Sequence, residues 1–336
     1  MKILLYSDVH WTTYSSILRK QGEVYSVYLE GLIKSMNWVM NLGKQNNCAF
    51  TCCLGDFFDK STCTAEEVSA LKEIAWADTP NYFICGNHEM QTQDHKYSSV
   101  KLFNLLPNAV IISEPTILAL NDFCEVAFLP YILESDRKPV ADYFSNLTTT
   151  KKRILLSHND IAGIQMGQFI SKQGFTIEEF QQFANLTING HLHNGDKVAD
   201  KVFNIGSLSG MNFSNDSSLY TYGAFILDTD TLSIDVYENP HAFNFYKLDA
   251  AKSVDLKKLK NNAVITLKCL DTVSEKYKEQ IKSAKNILDS RVVIEFDRNS
   301  GITDSVADIQ ELSVDHLSEF KNFILDTLGN NQIVLE

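Results

Sequence analysis

Lys2-Ile3-Leu4-Leu5-Tyr6-Ser7-Asp8-Val9-His10 decides how the rest of the chain is read. A mostly apolar, strand-like run ends in a serine and then in an aspartate and a histidine two positions apart. Residues two apart on a strand point to the same side, so this carboxylate and imidazole are expected to converge at the strand's C-terminal end. Four more clusters repeat the pattern. Gly55-Asp56-Phe57-Phe58-Asp59 follows the run Ala49–Cys53, and Gly86-Asn87-His88-Glu89 follows Tyr82–Cys85. His158 follows Arg153–Ser157, and Gly190-His191-Leu192-His193 follows Leu186–Asn189. A lone aspartate or histidine at a strand end is usually a hydrogen-bonded loop residue, and a single Gly-Asp pair is usually a turn. Five such clusters, each behind a strand, are collected on the sheet edge where loops of α/β proteins build ligand sites.

The donor types define the chemistry. Imidazoles, carboxylates and one amide oxygen suit Mn²⁺, Fe²⁺ or Zn²⁺, with Mg²⁺ less at home among histidines. Four histidines and two aspartates can hold two ions if one carboxylate bridges them, and Asp56 is the central candidate.

Around these clusters, strands alternate with helices. Val110–Ser113 and Glu125–Phe128 read as further strands, and the spacing of apolar residues predicts a helix over Val24–Leu42. Thr176 opens another helix, with Glu179 three residues on completing a capping box. Lys201–Ile205, Ala224–Asp228 and Leu232–Tyr237 are predicted strands, and Asn239-Pro240 marks a break. Beyond it a strand at Ala263–Leu267, a helix at Val273–Leu288, a strand at Arg291–Phe296 and a last helix at Val314–Leu328 suggest a second, smaller unit. The division expected is residues 1–240, a capping domain over 241–300, and a C-terminal helical segment over 301–336 available to dock a partner.

Hydrophobic residues at 44% argue for a folded core rather than disorder. No apolar run approaches the ~18–20 residues of a membrane span, and the N-terminus lacks the features of a signal peptide. A cytoplasmic protein with no membrane association is therefore expected, in the host cytoplasm if phage-encoded. The seven cysteines form no CxxC pair and read as small buried hydrophobes. The net charge of −12 has the wrong sign for a protein that grips nucleic acid by its phosphates. Two divalent ions would cancel about four of those charges locally. The basic clusters Arg137-Lys138 and Lys151-Lys152-Arg153 read as solvated surface before they read as a DNA contact.

The ordered set Asp-x-His, Gly-Asp-x-x-Asp, Gly-Asn-His-Glu, His and Gly-His-x-His, over residues 8–193, resembles the calcineurin-like metallophosphoesterase superfamily. The resemblance implies an α/β fold: a four-layer α-β-β-α sandwich with the metals at the sheet edge, here followed by a small α+β cap. It implies one ion on Asp8, His10, Asp56 and His193, and another on Asp56, Asn87, His158 and His191. His88 would meet the phosphate and protonate the leaving oxygen, with Asp59 a candidate partner for its imidazolium. Protein Ser/Thr phosphatases of the superfamily carry arginines beside these motifs, whereas Lys60 and Met90 stand here. A closer similarity is to the nuclease subunit of SbcCD-type DNA-repair complexes and its bacteriophage recombination-endonuclease relatives. It rests on Gly-Asp-x-Phe-Asp, the short run onto Asp8, and Gly206-Ser207 after the last histidine pair. That likeness implies Mn²⁺-dependent exonuclease and endonuclease cleavage of single- and double-stranded DNA in recombination and repair. It also implies an SMC-like coiled-coil ATPase as partner and a homodimer, with the Val24–Leu42 helix as one possible surface. A small-molecule phosphodiesterase or phosphatase, favoured by the acidic charge, and a non-catalytic binding module are the competing readings.

Overall fold

The computed structural model describes residues 1–295 apart from 93–94, 167–168, 215–216 and 253. Two six-stranded mixed sheets form its centre. In the first, the order is Ser233–Glu238, Gly223–Asp228, Lys2–Tyr6, Phe50–Cys53, Asn81–Ile84, Ala109–Ile112. In the second it is Asp196–Ala199, Val202–Asn204, Leu186–Asn189, Lys152–Ser157, Cys124–Leu129, Thr116–Ala119. The strands that carry the five clusters pair in parallel with one another inside their own sheets, so their C-terminal ends share an edge.

Burial follows the two-residue period of the strands. Ile3, Leu5, Phe50, Cys52 and Ile84 face Val126, Phe128, Ile154, Leu156 and Ile188 between the sheets. Leu4, Tyr6, Cys53 and Phe83 turn the other way, under Leu29, Leu32, Met36, Val39 and Met40 of the helix Val27–Gln45. On the outer face of the second sheet, Ala127, Leu129 and Leu155 pack against Phe144 of the helix Glu134–Asn146 and Phe180 and Phe183 of Ile177–Phe183. The result is the expected α-β-β-α sandwich. Strands buried on both faces explain why the runs are almost continuously apolar instead of alternating.

Several local expectations shift. The helix predicted from Val24 starts at Val27, because Ser26 caps it through Leu29 N and Glu30 folds back onto Val24 N at 2.8 Å. The helix predicted over Val273–Leu288 is Asp271–Ser283. Leu288 belongs instead to the strand Ile287–Glu295, which Asn286 initiates by donating its side-chain amide to Leu256 O and Leu259 O. That strand forms a separate parallel sheet with Asn244–Asp249 and Ala263–Leu270. Phe243 and Phe245, at the start of this sheet, enter the core beneath the helix Val27–Gln45, where the Phe243 ring stacks on Tyr28 at 5.3 Å. The helix expected at Val314–Leu328 lies outside the described residues. No helix among the described residues is long and apolar enough to cross a membrane.

Candidate metal centre

The pairing of Lys2–Tyr6 with Phe50–Cys53 continues past both strands. Leu54 N donates to Tyr6 O at 2.8 Å, Asp8 N to Gly55 O at 3.1 Å, His10 N to Asp56 O at 3.0 Å and Trp11 N to Phe57 O at 2.7 Å. This zip fixes Asp8, His10 and Asp56 relative to one another. Asp8 and His10 do not lie on the strand, as their spacing suggested; they follow it with left-handed backbones, φ 50° and 49°. Asp56 at 49° and His191 at 75° share that conformation. For non-glycine residues it is uncommon and costly, and such strain clusters at functional sites.

Glu89 locks the third cluster to the second. Its fully buried carboxylate accepts from Phe57 N at 2.7 Å, Phe58 N at 3.2 Å and Gly86 N at 2.7 Å. Burial and the charge of Asp56 push its carboxyl up to about 7. Gly86 is required here because a Cβ would strike the Asp56 carboxylate, and Gly55 because its φ is 107° and a Cβ would strike the His158 ring. From the second sheet, Asn159 and Asn189 clasp each other, N to Oδ1 at 3.0 Å and Nδ2 to O at 2.9 Å. This holds the loops that carry His158 and His191 side by side. His191 N then reaches across the sandwich to Asp8 Oδ2 at 3.1 Å.

The structure brings the expected residues into two adjoining groups. Asp8, His10 and His193 form one and Asp56, His158 and His191 the other, with the donor atoms of each group within 4.8 Å. His10 Nε2 lies 3.1 Å from His193 Nε2, and Asp8 Oδ1 is 3.9 and 3.8 Å from those two nitrogens. In the second group Asp56 Oδ2 is 3.1 Å from His158 Nε2.

Each buried imidazole has one nitrogen tied outward. His10 Nδ1 donates to Asp59 Oδ1 at 3.2 Å, His158 Nδ1 to Leu54 O at 2.6 Å, and His191 Nε2 to Asp160 Oδ1 at 2.9 Å. Such anchoring fixes which nitrogen is left facing inward, as at metal-bound histidines. Among the described residues, Asp8 Oδ1, Asn87 Oδ1 and His191 Nδ1 of the site are buried without a hydrogen-bond partner, and His158 Nε2 faces only the Asp56 carboxylate. Buried polar atoms are normally satisfied, so convergent orphans of mixed nitrogen and oxygen type fit divalent cations.

The electrostatics agree. Burial opposes a charge on His158, but Asp56 and then Asp8 raise its imidazole to about 9. Burial likewise works against the Asp56 carboxylate, yet His158 and His10 hold it well below the usual range. His193 falls to about 4, through burial and the neighbouring His10. The carboxylates thus outweigh burial at His10 and His158, and not at His193.

His88 is exposed at the rim of the site. Its backbone N–H donates to Asp56 Oδ1 at 3.0 Å and its Nδ1 to the Asp59 carbonyl at 2.9 Å. Asp59 thus contacts His88 through its backbone oxygen, while its carboxylate accepts from His10 Nδ1 and lies within 4.8 Å of His88. Asp160 and Tyr131 escaped the sequence reading. Tyr131 Oη donates to Asp160 Oδ2 at 3.2 Å, which braces the carboxylate that orients His191. The signal was present, because Asp160 stands two residues after His158 as His10 stands two after Asp8.

The profile of one family, calcineurin-like phosphoesterase, matches residues 1–195. The chain belongs to that family. Its members are metal-dependent phosphoester hydrolases, and the phosphoesterase's two donor groups fit their two divalent ions. Among solved structures, it is similar to a protein described as a novel archaeal phosphodiesterase, with 13% identity and a TM-score of 0.38 over 71% of this chain and 99% of that one. A dimetal phosphatase from Danio rerio gives 10% identity and a TM-score of 0.40 over 67% and 91%. None of the curated proteins compared with the phosphoesterase matches it.

Proposed function

We propose that this phosphoesterase cleaves phosphodiesters, and that its substrate is DNA. Asp8, His10, Asp56 and His193 would hold one ion and Asp56, Asn87, His158 and His191 the other, with Asp56 shared. When bound, such a pair supplies Lewis-acid polarisation of the phosphoryl group and a nucleophile at neutral pH. The chain's own contribution is to position and to move a proton. With His88 as the imidazolium, Nδ1–H would donate to Asp59 O and Nε2–H would face the substrate; as the P–O bond breaks, the Nε2 proton would pass to the leaving oxygen and leave the ring neutral.

One observation carries the choice of diester over monoester. No arginine among the described residues forms a hydrogen bond or ion pair with a site residue. Arg137 is committed to Glu134 and Glu179, and Arg153 is buried against Glu125 at 2.7 Å. A monoester dianion asks for a bidentate cation that a diester monoanion does not. The same pairing removes Arg137 and Arg153 as DNA contacts, and Lys138 is paired with Asp142 at 3.0 Å. Arg153 in particular is core, not the solvated surface expected of it.

The DNA reading is supported by the motif resemblance to SbcCD-type and phage nucleases. In the Gly206-Ser207 segment that carries part of this resemblance, Ser207 N donates to His193 O and Leu208 N to Ser7 O, both at 3.0 Å. We extend the proposal to Mn²⁺ as the metal, an SMC-like ATPase as partner and a second copy of the chain as a further one. The net charge of −12 favours instead a small diester. Purified protein with Mn²⁺, assayed on single- and double-stranded DNA beside bis(4-nitrophenyl) phosphate, separates the two. If DNA stays intact with and without a coiled-coil ATPase while the small ester is cleaved, the nuclease reading fails.

A further inference from the structure

The two zipped loops do more than carry ligands. Past Trp11 and Asp59 they open into a cavity of about 230 Å³ whose lining includes Trp11, Tyr14, Asp59, Lys60, Thr62 and Glu67. Asp59 also belongs to the group of His10 and His88, so the cavity adjoins the reacting end of the site.

Hydrogen bonds tie its walls together. Trp11 is buried, and its indole Nε1 donates to Glu67 O at 3.0 Å. Thr13 N donates to Glu67 Oε1 at 2.7 Å, and Tyr14 N to Thr12 Oγ1 at 3.2 Å. On this pinned backbone the Tyr14 side chain is left 60% exposed. Lys60 Nζ lies 5.8 Å from the centre of the Tyr14 ring and forms no ion pair among the described residues. An aromatic face on a fixed loop beside an uncommitted cation is the combination by which proteins hold single-stranded nucleic acid: the ring stacks a base and the cation meets its phosphate.

We propose that this cavity is a nucleotide subsite, in which Tyr14 stacks the base next to the scissile phosphodiester and Lys60 neutralises that nucleotide's other phosphate. The assignment rests on the nucleic-acid reading of the adjacent centre and specifies what that reading leaves open: recognition of an unpaired base, independent of sequence. It also answers part of the charge objection, since one local cation in the right place matters more to a bound nucleotide than the sum over the surface.

The test compares wild type, Tyr14→Ala, Tyr14→Phe and Lys60→Ala as full-length proteins with Mn²⁺. Two substrates are used, a single-stranded oligonucleotide and methyl 4-nitrophenyl phosphate, whose methyl side offers nothing to stack. Base stacking worth ~1–3 kcal/mol corresponds to a change of roughly 5- to 150-fold. Tyr14→Ala is expected to lower the ratio of kcat/KM for the oligonucleotide over the small ester by that factor, through KM, and Tyr14→Phe to keep it. Lys60→Ala should reduce the salt dependence of oligonucleotide binding by about 0.7 in log–log slope. Binding is read in a His88→Ala background with an oligonucleotide carrying 2-aminopurine, whose fluorescence reports stacking on Tyr14. An unchanged ratio, or equal binding and quenching with and without the Tyr14 ring, overturns the subsite. If wild type cleaves no DNA yet quenches 2-aminopurine in a Tyr14-dependent way, the nuclease reading falls and the subsite stands as the nucleoside pocket of a smaller diesterase.

Discussion

Replacing Glu89 by alanine removes one carboxylate and strands three backbone donors. Phe57 N, Phe58 N and Gly86 N all donate to it, at 2.7, 3.2 and 2.7 Å, from two different loops. A buried N–H without an acceptor costs about 1–3 kcal/mol. Three of them give about 3–9 kcal/mol, and two effects pull towards the low end. The substitution also relieves the burial of a charge, and the vacated space admits water. The expected loss is therefore ~3 kcal/mol, roughly two decades in the unfolding equilibrium. Glu89→Gln retains one acceptor oxygen for Phe57 and Phe58 but turns an NH₂ towards Gly86 N, so about half that loss is expected. The assay is urea unfolding at pH 8 in EDTA, which keeps cation binding out of the measurement. The clamp also fixes Asp56 against Asn87, which precede and follow its contacts. Calorimetric titration of Glu89→Ala with Mn²⁺ should thus show affinity weakened about 10- to 100-fold. A Glu89→Ala protein within ~0.5 kcal/mol of wild type, or a glutamine variant as damaged as the alanine one, would refute the reasoning.

Four other outcomes are expected. His88→Ala should keep Mn²⁺ stoichiometry, measured by elemental analysis, while turnover of a phosphodiester drops about 10²- to 10⁴-fold; loss of metal would overturn its role as acid. Asp160→Ala frees the His191 ring and should weaken Mn²⁺ binding about 10-fold or more by calorimetry, whereas Asp160→Asn, whose amide oxygen can still accept from Nε2, should recover most of it. Arg153→Ala leaves Glu125 buried without its cation and should cost about 3–5 kcal/mol in denaturant unfolding, with oligonucleotide binding untouched. EDTA should lower the melting temperature without altering the far-ultraviolet dichroism, and Mn²⁺ at a hundredfold its Kd should restore about 2.7 kcal/mol for each ion bound.

The sandwich was legible because its strands are buried on both faces, which forces short apolar runs such as Ile3–Tyr6 that end abruptly in polar residues. The same abruptness exposed the site, since a histidine or aspartate behind such a run stands at the sheet edge. What stayed hidden depends on contacts between distant segments. The helix Glu134–Asn146 contains Pro139, which lacks the amide a helix interior requires, and it is held by Arg137 reaching Glu179 in another element. The strand Asn244–Asp249 exists because Ala263–Leu270 offers it a parallel ladder. The contact of the Asp59 carboxylate with His10 was not foreseen, because it turns on backbone direction after Asp56. Asp160 was missed although its spacing from His158 was in view, because it supports a ligand instead of being read as one.

The left-handed residues add what no motif conveys. Asp8, His10, Asp56 and His191 hold a backbone conformation that costs on the order of 1–3 kcal/mol apiece when imposed on a side-chain-bearing residue. It persists because the surroundings over-determine it: Asp8 and His10 are fixed by the zip to Gly55 and Asp56, and His191 by Asp8 Oδ2. The inward nitrogens and oxygens are thus aimed by the fold itself, with the cost drawn from the sandwich core. By the same logic, the vulnerable points of the enzyme are the residues that hold the loops still, Glu89 and Asp160 foremost, as much as the ligands.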